Sequence, residues 1–559
     1  MRSRRSALLL AALFAATCTT ACADDAADAS DGPEGAEAAA EPTYVKGGAT
    51  GKEDASALAT VLDFEFKGEL LTDSAWDTRR VIQDQLLFTI GHLNANKSVG
   101  RLDRLELSDI QTSQSGGKTR ITYSAKMPVA WGSKVNLPTE YVFTLPLDIS
   151  ASAQEAFAGK YKARCVDHGA HDVDAGSMWY YYRPATSGCA LEAADVVKVT
   201  AKVAVSDVNT TGKYPEYHKV WEDDALKVVS VFGKYEDGAT ASSDAGISAY
   251  NTFVAAVKRR FAQAGLETTP TMVPSNPGVG SPDIEFRATL PDGRTVQVNA
   301  LLVDNVASAT QSFYDRYEGL SSQADLIAYN GHAGLGQNVR ALARKGQWEA
   351  GQYVIVFMNG CDTFAYVDGS LAQTRAAINP DDPSGSKYLD FVVNAMPAYF
   401  AQDSRATMTL VDGLLDYAAP KSYEVMFKNI DSSQVVLVTG EADNVYYPGY
   451  TEGGPVEPTP TEVWTGISES GTVARGAEKR FETPMLPAGD YTFETSGTGD
   501  ADLYVRVGTA PTNALYDCRP YRTSTNETCT VKLTTPAPVH VMVQGYAATS
   551  NYELTGAAK

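Results

Sequence analysis

Ala324-Asp325-Leu326-Ile327-Ala328-Tyr329-Asn330-Gly331-His332-Ala333-Gly334 and Tyr353-Val354-Ile355-Val356-Phe357-Met358-Asn359-Gly360-Cys361-Asp362 are two apolar runs that each end in a polar, glycine-bearing turn. A strand buried on both faces reads as such a continuous apolar stretch. Ligands gather at the carboxyl ends of parallel strands. If the two runs are neighbours, His332 and Cys361, 29 positions apart, leave the sheet side by side at one edge. The stretch 337–344 between them is a short helical crossover, and a crossover of that kind makes the two strands parallel.

Outward from this pair, residues 225–450 alternate strand and helix signals, which predicts an α/β layer. The run 226–232 is a first strand. Asp244 caps a helix that carries Ile247, Tyr250, Val254, Val257 and Phe261 at steps of three and four and stops at Gly265. Pro291-Asp292-Gly293 is a turn between the runs 284–290 and 294–303. A helix over 307–322 precedes the histidine strand, and the runs 391–395 and 434–439 add helix or strand to the same sheet. Residues 57–222 read as an α+β domain, with strands at 61–66, 120–126 and 140–145 and helical periodicity over 76–93. Residues 451–462 are a stiff, proline-rich linker. After them, 463–559 show short alternating strands and turns, the pattern of a β-sandwich. The expected architecture is multidomain: an N-terminal α+β domain, a central α/β domain with a mostly parallel sheet, and a C-terminal β-sandwich.

The seven cysteines fit an exported chain. Arg2, Arg4 and Arg5 precede a short apolar stretch and small residues up to Cys22, so 1–22 read as a signal peptide rather than a span. Thr19-Thr20-Ala21-Cys22 is an imperfect lipobox, which makes Cys22 the candidate acylation site. Residues 23–56 are acidic and Ala-rich, as a disordered tether would be. In an oxidising compartment cysteines tend to pair. The spacings suit local disulfides Cys165–Cys189 and Cys518–Cys529, although spacing does not prove connectivity. Cys361 is then left over, either for an intermolecular bridge or as a reactive thiol. A formal net charge of −21 argues against a nucleic-acid partner. Membrane contact is expected only through a lipid anchor, in the bacterial cell envelope, with free secretion as the alternative. His168 and His171 lie beside carboxylates within the 165–189 loop; a polar surface loop accounts for them better than a metal site.

The central segment resembles the caspase-like cysteine peptidases, and within them the gingipain-like branch. The resemblance rests on Tyr329-Asn330-Gly331-His332 and Asn359-Gly360-Cys361. It implies a caspase-like α/β fold with His332 and Cys361 as a catalytic dyad. The backbone amides of Cys361 and of Ala333 or Gly334 would then form the oxyanion hole. The family has glycine directly after the histidine, whereas Ala333 stands there and Gly334 one place later. The separation is also short beside the roughly 50 residues of caspases. The segment from Val463 to Lys559 is similar to bacterial pre-peptidase C-terminal domains. That likeness rests on Leu486-Pro487-Ala488-Gly489-Asp490-Tyr491, Gly499-Asp500-Ala501-Asp502-Leu503 and Val541-Met542-Val543-Gln544-Gly545. Such domains often place a disulfide where Cys518 and Cys529 fall, and Asp500 and Asp502 offer carboxylates of the kind that ligate calcium in related sandwiches. A turn exposing two carboxylates explains them as well, and no metal or other cofactor is expected for the reaction.

The resemblances imply an exported, surface-anchored cysteine endopeptidase with protein or peptide substrates. Cys361 would attack as thiolate, and His332 would move the proton. Gly331, Gly334, Gly336 and Gly360 would let a substrate backbone come close. Asp362 would orient His332 or read a basic side chain. The alternative is a non-catalytic surface lipoprotein with a caspase-like scaffold, whose sandwich binds polysaccharide or protein.

Overall fold

The apolar runs around His332 and Cys361 form adjacent parallel strands at the centre of a nine-stranded sheet. This computed structural model describes residues 53–559, apart from 171–172, 442–443, 445, 451–463, 465, 484–485, 487–488 and 534–536. The signal peptide, Cys22, the proline-rich linker and His171 lie outside the described residues.

Five strands of this sheet run parallel, in the spatial order Leu389–Asn394, Val354–Asn359, Leu326–Asn330, Ala225–Gly233, Thr295–Val303. Ala225–Gly233 is the first of them in the chain. The order therefore reverses beside it, and the crevice between Ala225–Gly233 and Leu326–Asn330 is the topological switch point. Two strands joined antiparallel flank each side: Val436–Gly440 and Ala55–Ser56 on one, Asp283–Thr289 and Glu267–Thr269 on the other. Ala55 and Ser56, read from sequence as the end of the tether, instead pair with Val438 and Leu437. Two residues are too few for a periodic signal, and their partners lie far off in sequence.

Side chains alternate across the sheet, as the pleat requires. Leu326, Ala328, Ile355 and Phe357 face one core, with the helices Ala245–Arg260 and Phe400–Leu415. Asp244 caps the first of these helices by accepting from the Ile247 amide. Ile327, Tyr329, Val354, Val356 and Met358 face the other core, with Tyr317, Leu342 and Leu371 from the crossover helices. That second core continues without a break into the N-terminal unit, through Phe64, Leu93 and Tyr182.

The N-terminal unit is built on an antiparallel sheet whose longest strands are Thr60–Thr72 and Lys118–Trp131. The helical periodicity over 76–93 is two helices, Thr78–Leu86 and Phe88–Asn94. The C-terminal part is two facing antiparallel sheets of four and three strands around Phe493, Leu503, Val541 and Leu554. Among the described residues no helix is long and apolar enough to cross a membrane.

Candidate functional site

The register pairs Asn330 with Asn359, and His332 and Cys361 each stand two residues beyond those ends. Both leave the sheet at the carboxyl edge, beside the switch point. The two turns touch. The Gly331 amide donates to the Asn359 carbonyl at 3.2 Å. A Cβ on Gly360 would lie 2.8 Å from the Gly331 carbonyl oxygen and 3.3 Å from the Ala333 nitrogen, so only glycine fits there.

A layer of amides that the sequence reading passed over fixes this edge. Asn330, Asn359 and Asn394 end three adjacent parallel strands, and all are buried. Asn359 donates to Asn330 Oδ1 at 3.0 Å and to Asp403 Oδ1 at 3.1 Å. It accepts from Asn394 and Gln434, each at 3.0 Å. Thr407 donates to Asn330 Oδ1 at 2.8 Å, and Asn330 donates to Ser230 Oγ at 3.3 Å. The signal was present: each of the three apolar runs ends in Asn, at Tyr329-Asn330, Met358-Asn359 and Val393-Asn394. Burial pushes the Asp403 carboxyl well above the carboxylate range, which suits a neutral member of such a network.

His332 is held at both main chain and ring. Its carbonyl accepts from Tyr329 Oη at 2.8 Å and from Asn338 Nδ2 at 2.7 Å. Its ring packs against Tyr235 and Phe400, with centroids 5.2 and 5.1 Å away, and those two rings also touch each other. Nε2 is 3.2 Å from the Tyr235 carbonyl oxygen. A carbonyl can only accept, so Nε2 carries the hydrogen and the neutral ring keeps its lone pair at Nδ1. Burial lowers the His332 pKa; the Tyr235 carbonyl and the carboxylates of Glu236, Asp244 and Asp237 partly oppose it.

Cys361 is half-buried and outside both disulfides, and its thiol points to the Ala398 carbonyl at 3.7 Å. Asp362 does not take up the role of orienting His332 or reading a substrate. It is fully buried, in a left-handed conformation (φ 53°), and accepts from Asn94 of the N-terminal unit at 3.0 Å. Burial raises its pKa to about 6, against the lowering effects of Asn94, Tyr180 and Arg183. Ala333 is buried behind the histidine turn, while Gly334 and Leu335 adopt left-handed backbone ahead of the helix Gln337–Lys345.

Both disulfides are present, Cys165–Cys189 and Cys518–Cys529. Among the described residues no group of three or more His, Cys, Asp or Glu is arranged to hold a metal ion. Asp502 pairs with Arg519 at 2.8 Å.

Residues 486–545 match the family model of the bacterial pre-peptidase C-terminal domain. The chain carries that domain. Among similar curated proteins, the alkaline serine exoprotease A of Vibrio alginolyticus is 41% identical over 105 residues, which is 18% of this chain and 19% of that protein. The zinc metalloprotease of Helicobacter pylori is 42% identical over 89 residues, 16% of this chain and 32% of that protein. The chain thus spans about a fifth to a third of the length of these two relatives. Among solved structures, the solution structure of vEP C-ter 100 is 36% identical and covers 16% of this chain and 87% of its own, with a TM-score of 0.14.

These relatives correct the functional expectation. They are named as serine and metalloproteases, so they support neither the His/Cys-dyad endopeptidase nor its alternative, the non-catalytic binding lipoprotein. The site explains how the dyad reading misled. Any doubly wound sheet brings the ends of neighbouring strands to one edge, so a paired His and Cys there need not work on each other. Here His332 Nε2 lies 3.2 Å from the Tyr235 carbonyl oxygen, and the Cys361 thiol lies 3.7 Å from the Ala398 carbonyl oxygen.

Proposed function

We propose that this chain is an exported peptidase-type hydrolase that binds a polypeptide at the carboxyl edge of its central sheet. His332, Gly334 and Cys361 line that edge in this reading, with Ala333 buried behind the histidine turn. The observation that carries it is the pre-peptidase C-terminal domain, whose relatives here are named proteases. The switch-point crevice supports it independently, because that is where doubly wound sheets take ligands. His332 serves as the proton acceptor through Nδ1, since a buried, neutral imidazole is already in its basic form near neutral pH. Two disulfides suit an oxidising compartment outside the cytoplasm. Within this reading Cys22 remains the candidate acylation site, and a lipid label lost in Cys22→Ala tests it. The activity is tested by fluorescent-casein hydrolysis with the purified full chain, with serine-, metallo- and thiol-directed inhibitors in parallel. Release blocked by a serine- or metal-directed inhibitor supports the reading, and absence of release removes it.

A further inference from the structure

The Asp362 carboxylate is next to Cys361, but its described hydrogen-bond donor belongs to another part of the chain. Asn94 Nδ2 reaches Asp362 Oδ1 at 3.0 Å across 268 positions of sequence, and both residues are buried. Asn94 Oδ1 in turn faces the Arg183 guanidinium at 3.5 Å, and Arg183 pairs with Asp167 at 3.2 Å. The relay Asp167–Arg183–Asn94–Asp362 therefore runs from the surface to the foot of the cysteine turn.

The disulfide Cys165–Cys189 brackets the outer half of that relay. Inside the bracket the chain folds back on itself. The Asp167 amide donates to Tyr181 O and the Arg183 amide to Cys165 O, each at 2.8 Å. The folded segment lies tightly on the helix Phe88–Asn94: a Cβ on Gly91 would meet the Trp179 carbonyl oxygen at 2.5 Å. On its other side Trp179 stands against Tyr366, with rings 6.4 Å apart. Tyr366 in turn sits 3.1 Å from where Gly336 of the histidine turn would carry a Cβ. Through Tyr366 the segment is linked to both turns of the edge.

A polar joint at this place differs from the apolar packing beneath it. A buried carboxylate whose partner sits on a separate unit is destabilised by losing that partner unless water takes its place, so the contact opens only together with solvent entry. Under the joint lies a shared apolar core that runs from Phe64 and Leu93 to Ile327 and Met358.

We propose that residues 165–167 and 178–183, held together by the Cys165–Cys189 disulfide, form a latch: their relay to Asp362 clamps the N-terminal unit over the Cys361 turn, and release of the relay opens the strand edge to a polypeptide. The gating consequence rests on the function proposed above. The latch itself is read by the accessibility of Cys361, whether or not the edge hydrolyses anything.

The test is pulsed iodoacetamide labelling of the full chain under native conditions, quantified on the Cys361 peptide by mass spectrometry. Hydrogen exchange of the Val354–Asn359 amides is followed in the same samples. The samples are wild type, Asn94→Ala, wild type with Cys165–Cys189 reduced, and Arg80→Ala as a surface control. Losing one buried hydrogen bond raises local opening by about five- to tenfold. Cys361 labelling should rise by that factor in Asn94→Ala and after reduction, with Val354–Asn359 exchange and the control unchanged. Unchanged Cys361 labelling while Cys165 and Cys189 become fully alkylated overturns the latch. A rise that Val354–Asn359 exchange follows in parallel also overturns it, since that is global loosening.

Discussion

His92 and His332 are both buried imidazoles whose hydrogen bonds fix a neutral tautomer. The Thr144 amide donates to His92 Nε2 at 3.2 Å, so the His92 hydrogen sits on Nδ1 and points to Tyr141 Oη at 2.9 Å. Burial, helped by the charge of Arg183, lowers the His92 pKa to about 4. A histidine with a depressed folded pKa binds fewer protons in the native state than in the unfolded one. Its contribution is therefore complete above the unfolded value of about 6.5 and is lost as pH falls through the window down to the folded value. That loss is on the order of 3 kcal/mol. Urea midpoints measured between pH 7 and pH 4 should fall, and His92→Gln should flatten the slope. His332 adds to the same slope in the same direction. At this scale the sequence was informative where a reactive side chain closed an apolar run, as with His332 and Cys361. It was silent on His92, whose setting is made by residues some fifty positions away, Tyr141 and Thr144.

Among the elements, the strand ends carry the site, and they are rigid because three asparagines share one amide network. Asn359 is its hub. Replacing it by leucine strands Asn330, Asn394, Gln434 and Asp403 together in a buried layer. Asn359→Leu should cost about 2–4 kcal/mol in urea unfolding. Gly360→Ala forces a Cβ against the Gly331 carbonyl and should cost about 1–3 kcal/mol, with the histidine and cysteine turns pushed apart. The strands were legible because continuous apolar runs with asparagine or glycine endings have few other readings. The parallel pairing followed from the crossover helix Gln337–Lys345 between them. What the runs lacked was any mark of direction for the side chains beyond the ends. Asp362 therefore read as a substrate or histidine partner, when a left-handed turn aims it at Asn94.

For the molecule as a whole, the N-terminal unit and the central sheet behave as one folded body on the face they share. A second tie lies at the sheet flank. Lys213 Nζ, fully buried, contacts Asp390 at 2.7 Å and donates to Gly440 O at 2.6 Å and Glu53 O at 3.0 Å. Tyr353 and Tyr423 complete the Asp390 carboxylate, each at 2.7 Å. Lys213→Met leaves that charge unpaired and should cost about 3–5 kcal/mol in urea unfolding. Sequence composition gave no sign of this tie, because it joins residues whose own segments read as loop and strand. The C-terminal domain was recognisable because its turn motifs are local. The reaction class was not, since it depends on which groups meet at an edge rather than on which residues end a strand. The proposed function places a polypeptide at the carboxyl edge beside the switch point, with His332 as proton acceptor. The most direct test is the rate of fluorescent-casein hydrolysis by the purified full chain, compared with His332→Ala at equal folded concentration. Measurable hydrolysis that falls by about 100-fold or more in the variant is expected. Hydrolysis equal in the two proteins, or none in the wild type, would contradict it.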